Sequence, residues 1–295
     1  MSALDSRYAN EQKQGGNSLC FTENGLDFEL DRGDGLGLLS YSAFEPEVLS
    51  ALRRFVRPGM KVVDAGAHIG YFSLQIARLV GECGRVHAFE PERENLRLLR
   101  LNIANNKLNN ITVHPLALGE RDNTALLHLS EYNSGMHRLY DSLCCGGESI
   151  QVPVRKLETI FSPGEIDVLK LDIEGFEPFA LAGARSLIQY QHMVIISEYC
   201  PPAMLEAGAS ISEYLSMLRL ENYLVSDAEG LPVPWVEIQT DAHKWEGFGR
   251  AKLREVCASK TNPEIAAICQ QIAWDLGCTR RYIENLVFMP RKPNT

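Results

Sequence analysis

Five acids stand where short apolar runs end: Asp64 after KVV, Glu90 after GRVHAF, Asp172 and Glu174 at the end of EIDVLKLDI, and Glu198 after HMVIIS. In an open α/β sheet such strand ends face the ligand crevice. Asp172 and Glu198 are therefore candidate general bases, a role that contributes typically ~10²–10⁴-fold to a reaction that must shed a proton. His137, in YNSGMHRL, is a third candidate, because an imidazole is neutral and basic near pH 7. Asp172, Glu174 and Glu198 converging would also suit a divalent cation such as Mg²⁺. Spacing does not separate the two readings; metal-free base catalysis is preferred and a metal is left open. Lys170 lies inside the same apolar strand pattern and needs one of these acids as a partner.

A second constellation is VVDAGAHIGYFSL, Val62 to Leu74, which reads as buried strand, glycine turn and helix start. The dinucleotide fingerprint has three glycines, the middle one letting backbone approach a pyrophosphate. Here Gly66 and Gly70 are present and His68 takes the middle place, which disfavours NAD and FAD. Glu90, followed by Pro91, ends the next strand twenty residues after Gly70. A carboxylate there can accept from both hydroxyls of a ribose. A ribose crevice without a pyrophosphate cradle fits the nucleoside of S-adenosylmethionine.

The elements that must position these residues alternate strictly. KVVDAG, GRVHAFEP, ITVHPLAL, EIDVLKLDI, HMVIISEYC and YLVSD read as strands; YFSLQIARLVG, ENLRLLRLNIANNK, EPFALAGARSLIQ and ISEYLSMLRLEN read as helices between them. This alternation predicts right-handed crossovers and a mostly parallel sheet. TALLHLS and IQVPVRKLETI are further strand segments, and ENLVFMP is the last strand. Residues 19–41 alternate around Asn24-Gly25, the favoured hairpin turn, and FEPEVLSALRRFV follows as a helix ended by Pro58-Gly59. The expected organisation is a disordered tail over 1–17, a hairpin and first helix over 18–60, and one α/β domain over 61–295. An insertion over about 228–282 carries LPVPWVEIQ and the helices GFGRAKLREVCAS and PEIAAICQQIAWDLG. Its Trp235, Trp245, Phe248 and Trp274 suit an aromatic lid, a small core of their own or a dimer contact, so a homodimer stays open.

These segments together resemble the FkbM family of class I S-adenosylmethionine-dependent methyltransferases. FEPEVLSALRRFVRPGMKVVDAGAHIGYFSLQIA, VHAFEPERENLRLLRLNIANN, VHPLALGE, EYNSGMHRL, VPVRKLETI and DVLKLDIEGFEPFALAGA follow in the family's order, with KLDIEGFE the most specific. The resemblance covers roughly residues 40–225 and 284–290. His68, where the family often has Asn, and the long insertion depart from it. The resemblance implies a doubly wound, Rossmann-like α/β fold whose mostly parallel sheet has an antiparallel last strand. It implies that Asp64 and Gly66 line the methionine portion of S-adenosylmethionine, with Asp64 accepting from the α-amino group. Glu90 would hold the ribose, Ala117 and Leu118 would flank the adenine, and Asn133 and Ser134 would reach the carboxylate. His68 would cover the cofactor.

Composition bounds the partners. A formal charge of −9 argues against a broad nucleic-acid surface. No apolar run approaches the ~18 residues of a membrane helix, and the polar N-terminus has no signal-peptide core. A cytoplasmic enzyme acting on a small molecule is expected. The eight cysteines include no C-x-x-C pair and read as free thiols. Methyl transfer to a hydroxyl of a sugar, polyketide or other specialised metabolite is the leading expectation, because the acids suit proton removal. Transfer to an amine or amide nitrogen is the alternative. An NAD(P) oxidoreductase is opposed by the missing glycine, and a non-catalytic scaffold by the intact Asp64, Glu90 and Asp172.

Overall fold

A computed structural model describes residues 19–31, 34, 37–39, 44–131, 133–190, 193–220 and 223–291. The segment 1–17, expected to be disordered, lies outside the described residues.

The strands are β1 (Leu19–Glu23), β2 (Leu26–Leu30), β3 (Lys61–Ala65), β4 (Arg85–Phe89), β5 (Ile111–His114), β6 (Ala117–Leu118), β7 (Asn123–His128), β8 (Ser149–Arg155), β9 (Val168–Leu171), β10 (Val194–Tyr199), β11 (Tyr223–Asp227) and β12 (Glu284–Pro290). The helices are α1 (Pro46–Phe55), α2 (Tyr71–Val80), α3 (Arg93–Asn105), α4 (Glu177–Ala182), α5 (Arg185–Gln189), α6 (Pro201–Ala207), α7 (Ile211–Leu220), α8 (Trp235–Phe248), α9 (Arg250–Cys257) and α10 (Asn262–Asp275).

Seven strands form the central sheet in the order β11-β12-β10-β9-β3-β4-β5. Pairing is parallel from β10 through β5, and β12 runs antiparallel to both β10 and β11. This is the expected doubly wound α/β sheet with an antiparallel last strand. Alternate residues of a strand face opposite sides, so Val63 and Ala65 join one core while Val62 joins the other. The first core lies under α4–α7 and the insertion; the second lies under the hairpin, α1, α2 and α3.

The Asn24-Gly25 turn forms as expected, with φ of 53° and 72°. Leu26 and Phe28 of the hairpin are buried, and Phe28 packs on Tyr71 with ring centroids 5.6 Å apart. Asn102 of α3, fully buried, pins this hairpin to the turn after β3. Its Oδ1 accepts from Glu29 N at 2.6 Å, and its Nδ2 donates to Glu29 O and Ile69 O at 3.1 and 2.9 Å.

Several elements differ from the sequence reading. ITVHPLAL is not one strand: Pro115 cannot donate to a ladder, and the chain leaves the main sheet for β6 in a three-stranded sheet ordered β6-β8-β7. EPFALAGARSLIQ breaks at Gly183, where a Cβ would sit 2.0 Å from Gly119 O. PPAMLEA, given no element from sequence, is α6, with prolines in its first turn. The insertion holds three helices rather than two, because WVEIQ opens α8.

Candidate active site

The sheet order reverses beside β3, the switch point at which such sheets bind ligands. A cavity of about 660 Å³ opens there, within the ~300–1,000 Å³ usual for small-molecule sites. Its floor is the carboxyl ends of β3, β4, β9 and β10. Phe44 and Glu45 wall it before α1, residues 133–139 wall it from the β7–β8 connection, and α9 and α10 wall it from the insertion.

The turn after β3 needs positive φ at three places: Gly66 at 80°, His68 at 50° and Gly70 at 95°. A Cβ on Gly66 would also meet Asp172 O at 1.8 Å, so this glycine lets β3 and β9 close up. His68 is a tolerated exception, since His, Asn and Asp are enriched at such φ. Its backbone N–H donates to Glu90 Oε2 at 2.9 Å, and Glu92 N donates to Glu90 Oε1 at 2.8 Å. Both Glu90 oxygens keep further lone pairs for a ligand. Burial raises the Glu90 pKa to about 7, against the lowering pull of these N–H bonds.

The His68 ring is held by Ser134, with Nε2 and Oγ 2.9 Å apart. Ser134 Oγ donates onward to Asp31 at 2.8 Å, so it accepts from His68, and the ring proton sits on Nε2. Nδ1 is left bare and buried, without a partner among the described residues. Burial depresses the ring's pKa to about 4.

Lys170, 2% exposed, lies 3.1 Å from Asp172 and 3.5 Å from Asp64, with its ammonium over the Phe72 ring. Burial works against its charge, yet Asp172, Asp64 and Glu45 outweigh that and raise its pKa. The expected acid pairing is present. Asp172 turns its carboxylate to Lys170 at the cavity wall. Glu174, at φ 60°, instead reaches Arg138 at 3.1 Å, and Arg138 also binds Glu206 at 3.2 Å. The loop that carries Asp172 and Glu174 is tied by buried Glu177, whose Oε1 accepts from Ile173 N at 2.8 Å and Gly175 N at 3.3 Å.

Glu198 is 9% exposed and faces the cavity, and its carboxyl has neither hydrogen bond nor ion pair among the described residues. Burial first, then Glu174 and Asp172, pushes its pKa far above the carboxylate range. Glu45, at φ 39°, joins these acids, and its Oε2 is buried without a partner among the described residues. Burial, then Asp172, raises its pKa to about 8.

The cavity thus gathers Gly66, His68, Glu90, Pro91, Ala117, Leu118, Asn133, Ser134, His137, Asp172, Glu174 and Glu198. Two expected cofactor residues are not in its wall. Asp64 is 0% exposed, bonded to Ser73 Oγ at 2.6 Å and 3.5 Å from Lys170, so it braces the lysine. Gly70 faces Leu74 and Leu99, where its missing Cβ is needed for helix packing. His137 lines the cavity, but its Nδ1 lone pair is taken by Ser130 N at 3.0 Å, and burial lowers its pKa. Glu45, Asn95 and Arg138 are cavity residues that sequence reasoning missed. Glu45 precedes a proline at a helix start, a position that carries no local signal of burial.

Among the described residues no three His, Cys, Asp or Glu are arranged to hold a metal. Glu174 is spent on Arg138 instead.

The Methyltransferase FkbM domain matches this chain over residues 64–225, more than half of its length. The chain belongs to the FkbM methyltransferase family. The FkbM match includes the β3 turn, Glu90 and KLDIEGFE, and stops before the insertion. Among solved structures the chain is similar to methyltransferase FkbM from Methylobacillus flagellatus, at 22% identity and a TM-score of 0.41. That match covers 57% of this chain and 39% of the other, so this FkbM chain spans well under half the length of that protein. It is also similar to M. jannaschii TYW2 in complex with AdoMet, at 17% identity and TM-score 0.41, covering 72% and 80%. A SAM-dependent O-methyltransferase from Thermotoga maritima follows at 14% identity and TM-score 0.40, covering 72% and 65%.

Proposed function

We propose that the protein binds S-adenosylmethionine and transfers its methyl group to a hydroxyl of a small molecule. The donor set of the cavity suits that cofactor. Glu90 offers free lone pairs to a diol, Leu116, Ala117 and Leu118 form an apolar slot for a purine, and Asn133 and Ser134 bring polar groups to the far side. The cofactor supplies an electrophilic methyl on a sulfonium; the chain's residues align the acceptor and take its proton.

The observation that carries the hydroxyl reading is Glu198. A buried carboxyl without a partner among the described residues is destabilising for folding, and a base is a use for it. Burial favours its neutral form, so it acts as a base after ionising, which the positive sulfonium of a bound cofactor would favour. Asp172 is committed to Lys170, so it positions and neutralises while Glu198 accepts the proton. Transfer to an amine nitrogen is the second reading, favoured by the excess of acids around Glu45, Glu174 and Glu198, which would suit a cationic acceptor.

Incubation with methyl-tritiated S-adenosylmethionine and matched panels of alcohols and amines separates the two. Label should enter ethers from the alcohols, and Glu198→Gln should cut that by roughly 10²-fold or more. Label entering only the amines, unaffected by the substitution, would favour the second reading.

A further inference from the structure

The cavity has two unlike ends. The acids stand at the strand ends, whereas the opposite wall comes from the insertion, outside the segment matched to the family. Leu253 and Cys257 of α9, and Ile265 and Cys269 of α10, line that wall, with Leu143 and Cys144 facing them. Leu253, Cys257 and Cys269 are 4%, 1% and 3% exposed. Burial raises the pKa of both insertion thiols, Cys269 to about 12, so they stay neutral and behave as small apolar groups.

The charged side chains bordering this end are already partnered. Glu206 accepts from Arg138 at 3.2 Å, Ser142 Oγ at 3.0 Å and Leu143 N at 2.6 Å. Arg254 of α9 bonds Asp141 at 3.0 Å and lies 3.8 Å from Glu206, which fastens the insertion over the cavity. Asn262 and Tyr282 bring an amide and a phenol to a wall that is otherwise apolar on the insertion's side.

We propose that this wall is the specificity determinant of the acceptor, and that it selects an uncharged alcohol whose body is apolar. The proposal rests on the methyl-transfer reading of the site. A sugar would bring several hydroxyls into a wall that has one amide, Asn262, and one phenol, Tyr282, to answer them, and buried hydroxyls need partners. A hydrocarbon ring or chain needs none, and would place its one hydroxyl towards Glu198. The four Trp and Phe residues that suited a lid, a small core of their own or a dimer contact are not part of this wall. Trp235 packs on Phe288, Trp245 on Phe248, and Trp274 is 78% exposed.

The test uses the full chain saturated with S-adenosylhomocysteine, and saturation-transfer NMR with cyclohexanol and methyl α-glucoside as probes. Cyclohexanol should take up magnetisation about tenfold more strongly than the glucoside. Ile265→Trp, which narrows the wall, should abolish the cyclohexanol signal with S-adenosylhomocysteine affinity held within about twofold. Equal or stronger transfer to the glucoside would overturn the proposal. Failure of the unaltered protein to bind S-adenosylhomocysteine would count against the methyltransferase reading instead, and the cyclohexanol measurement would still decide the wall.

Discussion

Glu198 and Glu177 are both buried acids, and their surroundings give them opposite tasks. Glu198 has no partner among the described residues and faces the cavity; Glu177 is 0% exposed and spends Oε1 on two backbone N–H groups. Burial raises the Glu177 pKa to about 8. For an acid raised in the folded state, its contribution to stability is complete below the unfolded value near 4.5 and is lost as pH rises through about 8. Glu177→Gln keeps an acceptor for Ile173 and Gly175 and removes the ionisation. Its Tm should match the parent at about pH 5 and exceed it at about pH 9, whereas Glu177→Ala should be destabilised at both. Identical pH dependence in parent and Gln variant would show that Glu177 does not titrate in this way. His68 works in the other direction. Its folded pKa, about 4, lies below the ordinary 6.5, so its contribution is present above 6.5 and lost as pH falls towards 4. His68→Asn, which tolerates φ 50°, should flatten the fall in thermal stability over that window. An unchanged acid limb would place the titration elsewhere.

At the scale of elements, the sequence carried most of the strands and the position of the site, because strand-end acids and glycine turns are local signals. Lys170 announced its need for a partner, and it has two. What it did not carry was long-range. Gly66 and Gly183 were legible as glycines, but the carbonyls of Asp172 and Gly119 that forbid a Cβ there are far along the chain. Asp64 looked like a ligand residue because it ends a strand; only the fold brings Ser73 and Lys170 to it. Periodicity could not reveal that α9 and α10 wall the cavity while Trp235, Trp245, Phe248 and Trp274 do not. Two substitutions probe these junctions. Gly66→Ala places a methyl at 1.8 Å from Asp172 O and should destabilise the fold by about 3 kcal/mol or more in urea unfolding. Asn102→Ala removes three hydrogen bonds between hairpin, α3 and turn, worth about 3 kcal/mol together. A loss under ~0.5 kcal/mol for Asn102→Ala would mean that the hairpin is held by its apolar face alone.

At the scale of the molecule, one cavity joins three parts of the chain. The family-matched sheet gives Glu90, Asp172 and Glu198; the segment before α1 gives Glu45; the insertion gives Leu253 and Cys269. The central claim is that the β3–β4 side of this cavity holds S-adenosylmethionine, with Glu90 on its ribose. The most direct measurement is calorimetric titration of the purified protein with S-adenosylmethionine, S-adenosylhomocysteine and NAD, beside Glu90→Ala. Saturable binding of both S-adenosyl ligands, no heat from NAD, and an affinity reduced about tenfold or more in the variant are predicted. Binding of NAD in their place, or S-adenosyl affinity unchanged in a folded Glu90→Ala protein, would contradict the account.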